Sequence, residues 1–228
     1  MFRVTLVLIA SMLLSTGLRA EGPSRLVVSV RDQKLMVMAN GAKLATYPVS
    51  TSKFGVGDNW GHMTTPLGFL QVAQKIGDHA PVGAVFHNRR FTGEILKPNA
   101  PGRDPVITRI IWLRGLQASN AHAFSRCIYI HGTPQEKLIG RPASYGCIRM
   151  KSSDVAALYA QVPLGAIVEI VPDRLPKIPS APRGAVFTVD APKPKPDASE
   201  PPVPEKAVEK TVRKRVETDE QPHFGRGA

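Results

Sequence analysis

Between Arg25 and Val171 the apolar residues come in short, valine- and isoleucine-rich runs, and only one stretch has the length and punctuation of a helix. Arg25–Val30 and Lys34–Met38 read as strands, and Asn40-Gly41 after them is a hairpin signal because both residues tolerate positive φ. Lys43–Thr51 is interrupted by Pro48, which suits an edge strand or a bend. Leu67–Val72, Thr108–Leu113, Cys127–His131 and Ala166–Val171 are further strand candidates. Phe54–Gly68 and Asn88–Pro105, rich in glycine and proline, read as long loops, and loops of that length in a compact domain tend to carry function. The helix is Asp154–Gln161, with Ser152 and Ser153 as caps, Asp154 at the positive end of its dipole and Pro163 as its stop. Many short strands with one short helix predict a mainly β sandwich or barrel.

The two ends of the chain are of a different kind. Arg3, the apolar run Val4–Leu14 and the small Ala20 predict a secretory signal peptide over residues 1–20, and hence an exported, periplasmic protein. Leu18 stands where a cleavage site prefers a small residue, so an uncleaved anchor is the alternative; the run is short of the ~20 residues that a span needs. Residues 176–228 hold ten of the 21 prolines and few large apolar side chains, which predicts an extended, flexible tail. One domain, residues 24–175, is left to enclose a core. Residues 21–175 carry 18 Lys/Arg against 10 Asp/Glu, the larger part of a net charge of +12. That field suits an anionic partner, and in an exported protein a carboxylate-rich wall polymer fits better than nucleic acid. No basic stripe is interleaved with aromatics as single-strand binding requires.

The chemistry concentrates in Ile128-Tyr129-Ile130-His131-Gly132-Thr133 and Ser144-Tyr145-Gly146-Cys147-Ile148-Arg149-Met150. Period-2 alternation puts Cys127, Tyr129 and His131 on one strand face. Cys147 follows a glycine in a short loop leading to the helix. A thiol with an ordinary pKa near 8.5 needs a base to attack an amide at neutral pH, and an imidazole within reach can take the proton and return it to the leaving amine. No acidic residue in the motif orients His131; a backbone carbonyl can serve, and Gly132 is the nearest candidate. Gly146 lets the backbone approach a substrate, which leaves the amides of Tyr145, Gly146 and Cys147 to stabilise an oxyanion. The competing reading of Cys127 and Cys147 is a structural disulfide, and Cys127 by itself suits a buried strand position. The spacings of Cys127, His131, Cys147 and His122 follow no closed zinc pattern, so no metal and no cofactor are expected.

His131-Gly132-Thr133 followed by Ser144-x-Gly146-Cys147-Ile148-Arg149-Met150 resembles the signature of the YkuD-type L,D-transpeptidases, the penicillin-insensitive cross-linkers of the bacterial cell wall. Thr65-Pro66-Leu67-Gly68 is similar to that family's Thr-Pro-x-Gly turn, and the likeness extends over about residues 25–171. It implies a β-sandwich-like fold with long active-site loops, His131 as catalytic base and Cys147 as thioester-forming nucleophile. Tyr145 departs from the histidine common at that place. The implied substrate is a peptidoglycan stem peptide whose third residue, a diamino acid, is transferred with loss of D-alanine. Ser144, Thr133 and Arg149 are the expected substrate-binding residues. The acceptor is a second stem; with water the same site gives an L,D-carboxypeptidase, and with a lysine of an outer-membrane protein it gives a protein-anchoring enzyme. A non-catalytic wall-binding module is the alternative of another class. The sequence sets no oligomeric state.

Overall fold

The computed structural model of the chain describes residues 25–180, so the signal segment 1–20 and residues 181–228 of the expected tail lie outside the described residues. Ten strands and one α-helix follow in order: β1 (Arg25–Ser29), β2 (Lys34–Ala39), β3 (Ala42–Pro48), β4 (Gly68–Ile76), β5 (Ala84–His87), β6 (Arg90–Ile95), β7 (Val106–Gly115), β8 (Tyr129–Gly132), β9 (Ile148–Met150), α1 (Ser152–Gln161) and β10 (Ile167–Val171). The mainly β expectation, with one short helix, holds. The strands form one mixed sheet in the order β3-β2-β1-β10-β4-β7-β5-β6, with β8 branching from β7 and β9 pairing β8. Two pairs, β1 with β10 and β8 with β9, are parallel.

The turn between β2 and β3 is the expected one, with Asn40 and Gly41 at φ 50° and 75°. β3 lies at the sheet edge and ends at Pro48, which has no N–H to give a further partner. The main core joins Leu26, Val28, Leu35 and Val37 from one end of the sheet to Leu113, Ile130, Ile148 and Met150 at the other, with Val155 and Leu158 of α1 closing over them. Burying a side chain of this size contributes about 1.5–3 kcal/mol, so the core fixes the β7–β8–β9 region firmly.

The structure departs from four expectations. Asn88–Pro105 is not one loop: β6 pairs back on β5 through a two-residue turn at Asn88 and Arg89, at φ 49° and 65°. β6 is exposed at most positions and its turn lacks glycine, so neither alternation nor turn chemistry announced it. Ile148–Met150 is a strand, fully buried beside β8, rather than part of a loop. The helix opens two residues early, with Lys151 at the N-cap and no side-chain cap. Ser152 stands inside its first turn, where its Oγ accepts from Thr108 Oγ1 at 2.8 Å. Its N–H donates to Glu136 Oε1, also at 2.8 Å, so a carboxylate from a distant loop satisfies the orphan donor. Residues 176–180, assigned to the tail, still touch the sheet: Ile178 packs on Val27, Met36 and Met38, and Lys43 N–H donates to Pro179 O at 2.9 Å.

Candidate active site

β8 and β9 bring the two halves of the motif together. Their register sets Ile130 opposite Ile148 and His131 opposite Arg149, which puts Cys147, one residue ahead of β9, level with Tyr129. The Cys147 Sγ accepts from Tyr129 N–H at 3.4 Å and donates to Cys127 O at 3.3 Å. His131 lies two residues further along the same strand, buried, with Nδ1 2.7 Å from Gly132 O. A carbonyl can only accept, so Nδ1 carries the proton and Nε2 keeps its lone pair. Glycine itself is required at 132 because a Cβ would stand 2.7 Å from Ile107 O.

The Cys147 loop is tied on both sides. Gly146 has φ +124°, a conformation that L side chains rarely adopt. Its carbonyl accepts from Thr65 Oγ1 at 2.9 Å, and Thr65 Oγ1 accepts from Ser52 N–H at 2.9 Å. The Thr-Pro turn at residue 65 thus pins the Cys147 loop to the segment after β3. Lys53 N–H donates to Ser144 O at 3.1 Å, and Ala143 N–H to Thr51 O at 3.0 Å, continuing the stitching.

Several residues expected to meet substrate have their polar atoms engaged within the fold. Ser144 is buried, with its Oγ donating to Cys147 O at 2.6 Å and accepting from Gly146 N–H at 3.2 Å. It braces the loop, and it occupies the Gly146 amide that the sequence leaves for an oxyanion. Thr133 is buried as well, its Oγ1 donating to Asp104. Arg149, whose side chain is 3% exposed, pairs with the same Asp104 carboxylate. Thr133 and Arg149 therefore belong to an internal network behind His131. Among the described residues, Arg149 Nε and Nη2 are buried without a hydrogen-bond partner, so Asp104 carries the compensation of that charge. Cys127 is not a strand residue: it precedes β8 in left-handed conformation at φ 58°, partly exposed, and both cysteines are free thiols. The expected shared face of Cys127, Tyr129 and His131 thus holds for the last two.

Three groups that carry the site's electrostatics were not singled out in the sequence. Asp104 comes from the segment before β7. Arg126 is buried against Asp58 at 2.7 Å and donates to Thr64 O at 2.7 Å, tying the loop after β3 to the segment before β8. Asp58 also accepts from His122 N–H at 2.6 Å. No local pattern marks these residues, because each partner is brought by a different loop.

Burial pushes the Cys147 thiol up to about 11, against the pull of the Tyr129 N–H and of Arg126 and Arg149. Burial also pushes His131 down to about 4, with the Gly132 carbonyl and Asp104 raising it and Arg149 lowering it further. At neutral pH the resting pair is a thiol and a neutral imidazole, with the imidazole ready to accept a proton at Nε2.

A mainly β domain with a histidine on one of two paired parallel strands and a cysteine just ahead of the other is the class defined by these observations. The YkuD family description, the L,D-transpeptidase catalytic domain, matches residues 23–170, and the chain belongs to that family. A comparison with curated proteins finds no match. Among solved structures, the chain is similar to an L,D-transpeptidase from Xylanimonas cellulosilytica at 18% identity, covering 67% of this chain and 62% of that one with a TM-score of 0.43. An L,D-transpeptidase from Mycobacterium smegmatis gives 19% identity, 66% and 59% coverage and a TM-score of 0.42. L,D-transpeptidase 3 from Mycobacterium tuberculosis, in complex with a faropenem-derived adduct, gives 18% identity, 65% and 60% coverage and 0.44. The chain thus spans about three-fifths of the length of each of these structures.

Proposed function

We propose that this protein is a peptidoglycan L,D-transpeptidase, exported by its 1–20 signal segment and acting at the cell wall through Cys147 and His131. The observation that carries this reading is the pairing of β8 with β9, which sets Cys147, one residue ahead of β9, level with Tyr129 on the strand that bears His131, with the His131 tautomer fixed by Gly132. The Cys147 sulfur attacks the carbonyl carbon of the third residue of a tetrapeptide stem, and its proton passes to His131 Nε2. The oxyanion forms against the amides of Tyr145 and Cys147, each such donor being worth about 3–4 kcal/mol of barrier lowering. The tetrahedral centre collapses, the carbon–nitrogen bond breaks, and D-alanine leaves with the proton from His131. The side-chain amine of a second stem then attacks the thioester, His131 takes its proton, and the thiol is restored. The diamino acid to diamino acid cross-link is the product.

The thiol hydrogen bonded to Cys127 O turns from that carbonyl to His131 Nε2 before the sulfur attacks. The proline-rich tail serves as a spacer or wall-contacting arm. Incubating wall tetrapeptides with the mature protein, beside Cys147→Ala and Cys127→Ala variants, tests the assignment by mass spectrometry. A cross-linked dimer lacking one D-alanine, made by the native protein and by Cys127→Ala but not by Cys147→Ala, is expected. Tripeptide without dimer makes water the acceptor, and full activity in Cys147→Ala overturns the mechanism.

A further inference from the structure

With Arg149 turned inward, the stem's carboxylates need another receptor, and an open groove of about 560 Å³ beside the nucleophile loop offers one. Lys53, Asp104, Gln135, Arg141 and Tyr145 line it. The Asp104 charge is matched by Arg149, whereas neither Lys53 nor Arg141 is ion-paired among the described residues. The groove is therefore cationic on balance.

Both cations are held in place. The Lys53 backbone is bonded to Ser144, and its Nζ donates to Tyr145 Oη at 3.1 Å. The ammonium also lies 4.4 Å from the Tyr145 ring centroid and 5.1 Å from that of Phe54, so two exposed aromatics cradle it. The Arg141 carbonyl accepts from Ser50 Oγ at 2.7 Å, and its guanidinium reaches back to Lys137 O at 3.3 Å. Cations tethered in this way lose little freedom when an anion arrives.

We infer that Lys53 and Arg141 form the carboxylate-reading end of the donor subsite and bind the free α-carboxylate of the stem's terminal residue, the one expelled on acylation. Reach supports that choice over the stem's other carboxylates. Tyr145 is two residues from Cys147, a span of at most ~7 Å, and the terminal carboxylate is one residue beyond the carbonyl that Cys147 attacks. Recognition of this group makes the site selective for stems with a free carboxyl end. Tyr145 takes part by holding Lys53, which gives a use to the residue standing where histidine is common in the family.

The inference rests on the transpeptidase reading, and its test separates the two. The probe is the tetrapeptide L-Ala-D-Glu-diamino acid-D-Ala as free acid and as its C-terminal amide, given to the native protein and to the Lys53→Gln/Arg141→Gln double variant. In the native protein the acid should have a KM about tenfold below that of the amide, as fits one charge-assisted contact. The double variant should lose this preference by a rise in KM for the acid, with kcat changed far less, and raising the salt should erode it in the native protein alone. Equal KM values in the native protein, or a preference unchanged in the double variant, overturn the inference. Should neither peptide turn over, the transpeptidase reading fails by itself. Calorimetric binding of acid against amide then still decides the groove's role by the same tenfold criterion.

Discussion

Replacing Asp104 by alanine removes the one carboxylate that pairs with Arg149 among the described residues. The Arg149 side chain is 3% exposed and that of Asp104 19%, so the cation stays behind in a place where water scarcely reaches it. Two of its three guanidinium nitrogens already lack partners, and no second acceptor but Gln135 Oε1, at 3.4 Å, is near the third. Breaking a buried pair from one side costs about 3–5 kcal/mol. Because the Asp104 side borders the open groove, some water can follow, and about 3 kcal/mol is the expected loss. For a domain of this size that lowers Tm by roughly 6–12 °C. Asp104→Asn keeps an acceptor for Thr133 Oγ1 and should recover about 1 kcal/mol of it. Adding Arg149→Met to Asp104→Ala removes the stranded charge, so the double variant should be more stable than the Asp104→Ala protein. Urea denaturation of these four proteins and of the Arg149→Met single variant at pH 7 measures each quantity. A loss under about 1 kcal/mol for Asp104→Ala, or strict additivity of the two changes, refutes the argument that this pair is the compensation for a buried charge.

Three further outcomes are expected. His131 is held down at about 4 from an ordinary 6.5, so the unfolded chain binds its proton first. The stability this confers is complete above pH 6.5 and is lost as pH falls towards 4, amounting to about 3 kcal/mol, and His131→Gln should flatten that part of the stability–pH curve. Alkylation of Cys147 in the absence of substrate should be slow at pH 7 and rise as the pH approaches about 11; a thiolate titrating near pH 6 would mean that the resting site is an ion pair. Gly146→Ala forces a side chain onto φ +124° and within 3.3 Å of Thr64 O, which should cost about 1–3 kcal/mol and displace the nucleophile, lowering acylation far more than Ser153→Ala on the exposed start of α1.

The sequence carried the outline of the fold because most of it is written in local signals. Asn40-Gly41 set a hairpin, Pro48 ended an edge strand, and short apolar runs marked seven of the ten strands of the described residues. It carried the candidate pair of the proposed mechanism because His131-Gly132 and Gly146-Cys147 are local features of a strand end and a tight loop. The missing parts are those that depend on other segments. β6 faces solvent and shows no alternation, while β9 has only three residues and is a strand because β8 lies beside it. Ser144, Thr133 and Arg149 have the chemistry of substrate contacts, but Gly146, Cys147 and Asp104 claim their polar atoms first. Asp104 sits 27 residues before His131, and only the fold brings it to Thr133 and Arg149.

The central claim is that Cys147 forms a thioester with the stem, and the intact mass of the protein during turnover tests it most directly. With a tetrapeptide donor and no amine acceptor, the account predicts a covalent adduct equal to the tripeptide acyl group, located on the peptide containing Cys147 and absent from Cys147→Ala. Cross-linked product formed with no such adduct on rapid acid quench, or the adduct found on Cys127 instead, would contradict it.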